Sequence, residues 1–249
     1  SVFFAQSKKI FGFSLPLKIS PVTLFLSTWF DKAVLGKYIP LGKLSLYYIA
    51  FLFYNALLMF LKTFNTVLLP YLASISTSLD AEIKRKFQAI FRWIMHVSIL
   101  CCIISFFAVK PVIVFLYGPA YLEAVLIFRF FLVLFFIRSF GNTLGMFSFN
   151  VFGMTYQLAF SGIVLTVLTV LLNILLVQLL GYRGAILGNL VAFLIYLVVY
   201  LFLMKPVTRL ISPNAVIKVL SIIAVISGSY MALRYFEVRN EFILFPVLI

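Results

Sequence analysis

The stretch from Ala124 to Ser148, AVLIFRFFLVLFFIRSFGNTLGMFS, decides the fold class. At a helical rise of about 1.5 Å per residue it is long enough to cross a hydrocarbon layer roughly 30 Å thick. Its apolar residues run on without alternating, which fits a buried helix and not a barrel strand. Similar runs lie on both sides of it. The reading is of spans at about 10–30, 44–72, 92–116, 124–148, 158–180, 185–204 and 215–234, with a further one starting near 242. The composition agrees: 65% of the 249 residues are hydrophobic, 10% are charged, and the mean hydropathy is +1.20. A soluble globule of this size has too little interior for that much apolar surface. A soluble enzyme, a secreted disulfide scaffold and a disordered chain are therefore excluded. The fold class is all-α, a polytopic helical membrane protein.

The formal net charge of +14, from 20 basic and 6 acidic residues, reads as membrane electrostatics. No long basic or aromatic-basic surface segment exists, so nucleic acid is not an expected partner, while membrane lipids are. Cys101 and Cys102 are adjacent inside an apolar run, where neighbouring side chains diverge by about 100°, so they read as apolar packing. With a single histidine in the chain, no histidine metal cluster is expected, and no cofactor. Ser1 follows no initiator Met or signal pattern, and Phe245–Ile249 fall inside a new apolar run. The chain thus reads as part of a longer protein.

Lysine and arginine placement favours a cytoplasmic N-terminus. On that choice the inside flanks carry Lys8, Lys9, Lys84, Arg85, Lys86, Arg92, Lys205, Arg209 and Lys218. The outside flanks carry Lys32, Lys37, Lys43, Lys110, Arg183, Arg234 and Arg239. The longest inside connection, 73–91, contains Leu79 to Phe87, which reads as a short amphipathic helix lying at the interface.

Four cations fall within spans: Lys18, Lys62, Arg129 and Arg138. A charge at the bilayer centre costs roughly 2.5–3.5 kcal/mol on insertion scales. Each either snorkels to an interface or faces a watery cavity that binds an anion. Arg129, six residues after Glu123, is close enough to the outer edge to snorkel. Arg138 is too deep to do so easily. Nine residues separate the two arginines, which puts them on opposite helix faces, and Arg138 shares its face with Asn142. Tyr48, Asn55, Lys62 and Thr66 form a polar stripe on the second span. Gly162, Thr166, Thr169 and Asn173 form another on the fifth, where helix packing is the favoured explanation. Pro16 and Pro21 bracket Lys18 and predict a kink. The substrate-contacting candidates are accordingly Lys18, Lys62, Arg138, Asn55 and Asn142. No nucleophile–base set, paired intramembrane carboxylate or nucleotide-binding motif is present, so an enzyme is not expected.

Several stretches resemble the polysaccharide-exporter (O-antigen-type) flippases of the multidrug/oligosaccharidyl-lipid/polysaccharide exporter superfamily. Phe13-Ser14-Leu15-Pro16-Leu17 is similar to the start of that family's second half. Phe30-Asp31-Lys32-Ala33-Val34-Leu35-Gly36 is similar to its Asp-basic element, with Asp31 as an external motif residue. Tyr47-Tyr48-Ile49-Ala50 resembles the next motif, with Ser45 where a Gly is usual. Val67-Leu68-Leu69-Pro70 resembles the span-ending proline, and Tyr117 to Ala124 the external turn. Leu172-Asn173-Ile174-Leu175-Leu176, then Gly181-Tyr182-Arg183-Gly184-Ala185, resembles a late signature. The resemblance implies two six-helix lobes facing a central cavity. Residues 1–204 would be the C-terminal lobe and 205–249 one or two extra helices, with the N-terminal lobe elsewhere in the same protein. It further implies transport of an isoprenoid-linked oligosaccharide across the cytoplasmic membrane by alternating access, with cavity cations holding the anionic headgroup. A multidrug cation antiporter of the same superfamily is the alternative, and it calls for buried carboxylates that the spans lack as read. A membrane glycosyltransferase or polymerase would need large external loops, and the longest here is about Asp31 to Lys43. A non-transporting scaffold leaves the embedded cations unexplained.

Overall fold

Apolar runs that cannot give their backbone N–H and C=O groups to water must satisfy them within the run, and a helix is the local solution. The computed structural model describes residues 22–23, 25–75 and 80–204, and they are almost entirely helical, with no strand among them. Residues 22–23 and 25–38 form α1. It is followed by α2 (Leu41–Ile75), α3 (Asp80–Tyr117), α4 (Leu122–Asn150), α5 (Thr155–Leu180) and α6 (Tyr182–Leu203). A single turn of 3-10 helix, Pro119–Tyr121, joins α3 to α4. Each of α2 to α6 contains a stretch long and apolar enough to cross a membrane. The described residues are therefore those of an all-α, multi-pass membrane protein. Residues 10–21 with Lys18, Pro16 and Pro21, the extra helix at 215–234 and the span starting near 242 lie outside the described residues.

The helices overrun the expected spans in three informative places. First, α1 does not stop at residue 30 but continues to 38, so Asp31 and Lys32 sit inside a helix. The expected external loop from Asp31 to Lys43 shrinks to the bend at Ile39 and Pro40. Asp31 is only 2% exposed, because its carboxylate is supplied with donors from the protein itself. Second, α2 passes through Pro70 and ends at Ile75. Third, the segment read as a separate surface helix, 79–87, is from Asp80 onward the start of α3. The reason is a continuous inward stripe: Ile83, Phe87, Ile90, Phe91 and Ile94 are all buried, at the three- and four-residue spacing of one helix face. Phe87 meets Phe147 of α4 at 4.7 Å between ring centroids, and Phe91 meets Phe140 at 5.4 Å. Those edge-on aromatic contacts hold the segment upright against α4.

The core forms around α4, whose spanning stretch is the most buried of the five. Phe131, Phe135, Phe136 and Phe147 are fully buried on its successive faces. It packs against α2, α3 and α6. The Tyr54 ring of α2 stacks on Phe131 at 4.9 Å. Ser148 of α4 shares a hydrogen bond with Tyr200 of α6, and both side chains are buried.

α5 and α6 form a tight hairpin about Gly181, whose φ of 59° falls where L side chains are strained. One helical turn on, a Cβ at Gly184 would stand 1.9 Å from the Leu176 carbonyl oxygen. Only a hydrogen fits there, so the two backbones touch, as small residues allow in membranes.

A cationic cavity beside α4

A cavity of about 470 Å³ opens between α2, α4, α5 and α6. Leu58, Leu61, Leu158, Leu165, Phe149 and Phe193 make its walls largely apolar. Its polar lining comprises Lys62 and Thr66 from α2, Arg138 and Asn142 from α4, and Tyr196 from α6. Gly141 and Gly145 also line it, and their missing side chains help to leave the space. At Gly141 a Cβ would already press on Phe193 and Leu197 at 3.1 Å.

The two cations lie at nearly one depth. Lys62 comes thirteen residues before the end of α2 at Ile75, and Arg138 twelve before the end of α4 at Asn150. Both are thus about 18–20 Å from the same end of the bundle. The cavity lining contains no acidic residue. Among the described residues the ion pairs shown are Asp31–Lys32 and Glu82–Lys86, neither of which involves Lys62 or Arg138. The Arg138 guanidinium lies 5.5 Å from the centre of the Phe193 ring, a contact that holds a cation in place without neutralising it.

Arg138 also lines a narrow cleft on its other side, together with Asp31, Lys32, Tyr54 and Asn189. Here the structure ties α1, α2 and α6 through one carboxylate. Lys32 Nζ donates to Asp31 Oδ1 at 2.7 Å, and the Lys32 backbone N–H donates to the same oxygen at 2.8 Å. Tyr47 Oη donates to Oδ2 at 2.5 Å and Asn189 Nδ2 at 2.9 Å. Lys32 is further held by the Phe51 ring, 3.4 Å from Nζ to the centroid, and by the Thr28 carbonyl. Asn173 of α5 extends the network by donating to Asn189 Oδ1 at 3.0 Å. The buried Tyr54 hydroxyl lies beside Arg138 in this cleft, and the buried Asn173 Oδ1 has no hydrogen-bond partner among the described residues.

Of the candidates read from the sequence, Lys62, Arg138 and Asn142 come together on the cavity wall. Asn55, two turns before Lys62 on α2, is half-buried and does not line it. Tyr48 lies further along α2, beside Phe51. Lys18 is outside the described residues. Asp31 is not at the cavity but in the adjoining cleft. Arg129 points away from the cavity, with its guanidinium 4.4 Å from the centre of the Phe106 ring on α3. We expect Arg129→Met to leave anion binding at the cavity within about twofold of wild type, since the lost contact is a local cation–π pair. A loss as large as that of an Arg138 variant, measured at matched membrane abundance, would contradict this placement.

The polar stripe of α5 is a packing seam. Thr166 Oγ1 donates to the Thr23 carbonyl at 2.9 Å, Thr169 is buried, and Asn173 is fully buried. Sequence reading passed over Asn189, Tyr54 and Lys32. Asn189 carried a usable signal, as an amide in an apolar span. Lys32 did not, because it read as an ordinary flank charge until α1 proved longer.

Compared with known proteins, residues 2–126 match the model of a family described as polysaccharide biosynthesis protein. No curated protein and no solved structure gives a significant match.

Proposed function

Because the chain belongs to the polysaccharide biosynthesis protein family, we propose that it serves that pathway as a carrier for an anionic, lipid-linked saccharide. The observation that carries this reading is the cavity itself: Lys62 and Arg138 at matched depth in the spans, with no acid in the lining. Cations so placed are costly unless they face water or a counter-anion. A phosphate or pyrophosphate headgroup supplies that counter-charge, and Asn142 and Tyr196 add neutral hydrogen-bonding groups beside it. The saccharide would occupy the water-filled part, and the isoprenoid chain would remain among lipids.

In this reading the described helices form one half of a transport path, and a second lobe closes it. The membrane is the cytoplasmic one, with the connections at Pro40, Gly118 and Gly181 outside. The protein moves its substrate by alternating access and makes no covalent change to it. Among the described residues that line the cavity the titratable groups are Lys62, Arg138 and Tyr196, with no carboxylate, histidine or cysteine to form a nucleophile–base set. The cation-antiporter alternative fits less well. The one buried carboxylate described, Asp31, is occupied by Lys32 and leaves the cavity wall cationic.

The test is depletion of the complete protein in its own cell, followed by lipid extraction and assay of leaflet by an impermeant label. Isoprenoid-linked saccharide should build up on the cytoplasmic face, with loss of surface glycan. Normal surface glycan without build-up would overturn the reading.

A further inference from the structure

We propose that Lys110 and Arg129 form a binding site for the phosphate of an anionic glycerophospholipid, in the leaflet at the Gly118 end of the bundle. The site is separate from the cavity and does not depend on what the cavity carries.

The two cations share one depth. Lys110 lies seven residues before the end of α3 at Tyr117, and Arg129 seven after the start of α4 at Leu122. A single turn, Pro119–Tyr121, joins those ends, so both Cα atoms lie about 10 Å below the same edge. The 29 residues of α4 span about 43 Å, the thickness of a bilayer with its headgroups, of which about 30 Å is hydrocarbon. Each headgroup layer thus takes up roughly 6–7 Å of the helix, and both Cα atoms fall just inside the hydrocarbon boundary. A long basic side chain that snorkels outward from there ends among the lipid phosphates.

They also share one seam. α3 packs against α4, and the Arg129 guanidinium lies over the Phe106 ring of α3. Lys110 follows Phe106 by one turn on the same side of α3, toward the edge. The ring face holds the Arg129 cation without neutralising it. Arg129 Nε is buried and has no hydrogen-bond partner among the described residues. Lys110 is exposed, and neither residue takes part in the ion pairs shown among the described residues. Glu123, the acid nearest to both in sequence, instead accepts a hydrogen bond from Tyr182 of α6. Two uncompensated cations at a hydrocarbon boundary call for an anion. The surface around them selects a lipid over a free phosphate ion. Ile103, Phe107 and Leu116 of α3 are exposed large apolar side chains, which acyl chains cover while the phosphate meets the cations. An anionic headgroup is preferred to a choline one, whose own cation would stand beside two others.

The experiment reports from the site itself. Phe107 is 73% exposed, so Phe107→benzoylphenylalanine places a photoreactive ketone beside the seam at little cost to packing. The complete protein carrying it is put into nanodiscs of phosphatidylcholine and phosphatidylglycerol in equal parts, illuminated, and its lipid adducts are weighed by mass spectrometry. Phosphatidylglycerol adducts should exceed phosphatidylcholine adducts by more than roughly tenfold, since each basic residue beside an anionic lipid is worth about fivefold in affinity. Lys110→Gln should cut the preference by about fivefold, and Lys110→Gln with Arg129→Gln should bring it close to parity. Lys84→Gln with Arg85→Gln, exposed cations at the opposite end of α3, removes the same charge and should leave the preference intact. Adducts in equal amounts without any variant, or a preference that survives Lys110→Gln, overturn the proposal. So does an equal loss in the Lys84/Arg85 control, which would make the effect one of net charge. Cross-links to the protein's own chain in place of lipid would show the seam covered by another segment, and overturn it too. If a small fraction of an isoprenyl phosphate displaces the phosphatidylglycerol adducts completely, the site belongs to a lipid carrier and the phospholipid assignment falls. Should the double variant fail to insert, the reporter protein and Lys110→Gln, at an exposed position, decide the matter.

Discussion

Replacing Arg138 with alanine should reduce transport by roughly 10- to 100-fold while leaving the protein in the membrane at near-normal abundance. The magnitude follows from the chemistry of a charge-assisted contact, worth about 1.5–3 kcal/mol when one partner is removed. Arg138 is the residue with most to lose, because it belongs to both the cavity and the cleft that holds Asp31. Lys62→Ala should fall in the same range, and the double variant should be no better than the worse single one. Lys62→Arg should retain most activity, as the charge and reach persist. Arg138→Lys should retain less, since a planar fork over the Phe193 ring is replaced by a point charge. Delivery of surface glycan, scored against immunoblot abundance in membranes, is the measurement. Normal delivery in both alanine variants would sink the anion cavity, whatever the family.

The second large effect is structural. Gly184→Ala should lower the thermal-unfolding midpoint by about 2–12 °C. A Cβ there would meet the Leu176 carbonyl oxygen at 1.9 Å and the Val177 nitrogen at 2.9 Å. Neither atom belongs to a side chain that can swing away, so the two helices must part. Overpacking of that kind costs about 1–3 kcal/mol and sometimes more, and each kcal/mol moves the midpoint by about 2–4 °C in a chain of this length. Parting α5 from α6 also pulls Asn189 from Asn173, and through Asn189 strains the Asp31 network. Gly42→Ala is the matched control: nothing lies within 4 Å of its would-be Cβ, and alanine is the better helix former. Its midpoint should stay level or rise slightly. Equal losses in the two variants would refute the close approach of α5 and α6.

The extent of the fold legible in the sequence differs by element, for physical reasons. α4, α5 and α6 were read to within a few residues because hydrocarbon thickness sets a length, and Gly118, Gly153 and Gly181 mark their ends with positive φ. α1 and α3 were misread at their polar ends. Charge there was taken as a sign of water, yet Asp31 is buried because Lys32, Tyr47 and Asn189 satisfy it. Likewise, the polar start of α3 carries an apolar face that α4 covers.

The sequence by itself determined that the chain is a multi-pass helical membrane protein and that Arg129 and Arg138 point in opposite directions. Those follow from composition, span length and helical period, which are local properties. Only the tertiary structure decided that Lys62 and Arg138 share one cavity without an acid in its wall while Asn55 stays outside it. It alone showed Asp31 as the point where α1, α2 and α6 meet. Depth along a helix can be counted from its ends, but which faces of separate helices confront each other depends on how closely they pack. That is settled by contacts such as Gly184 on Leu176 and Phe87 on Phe147, between residues that no local period relates.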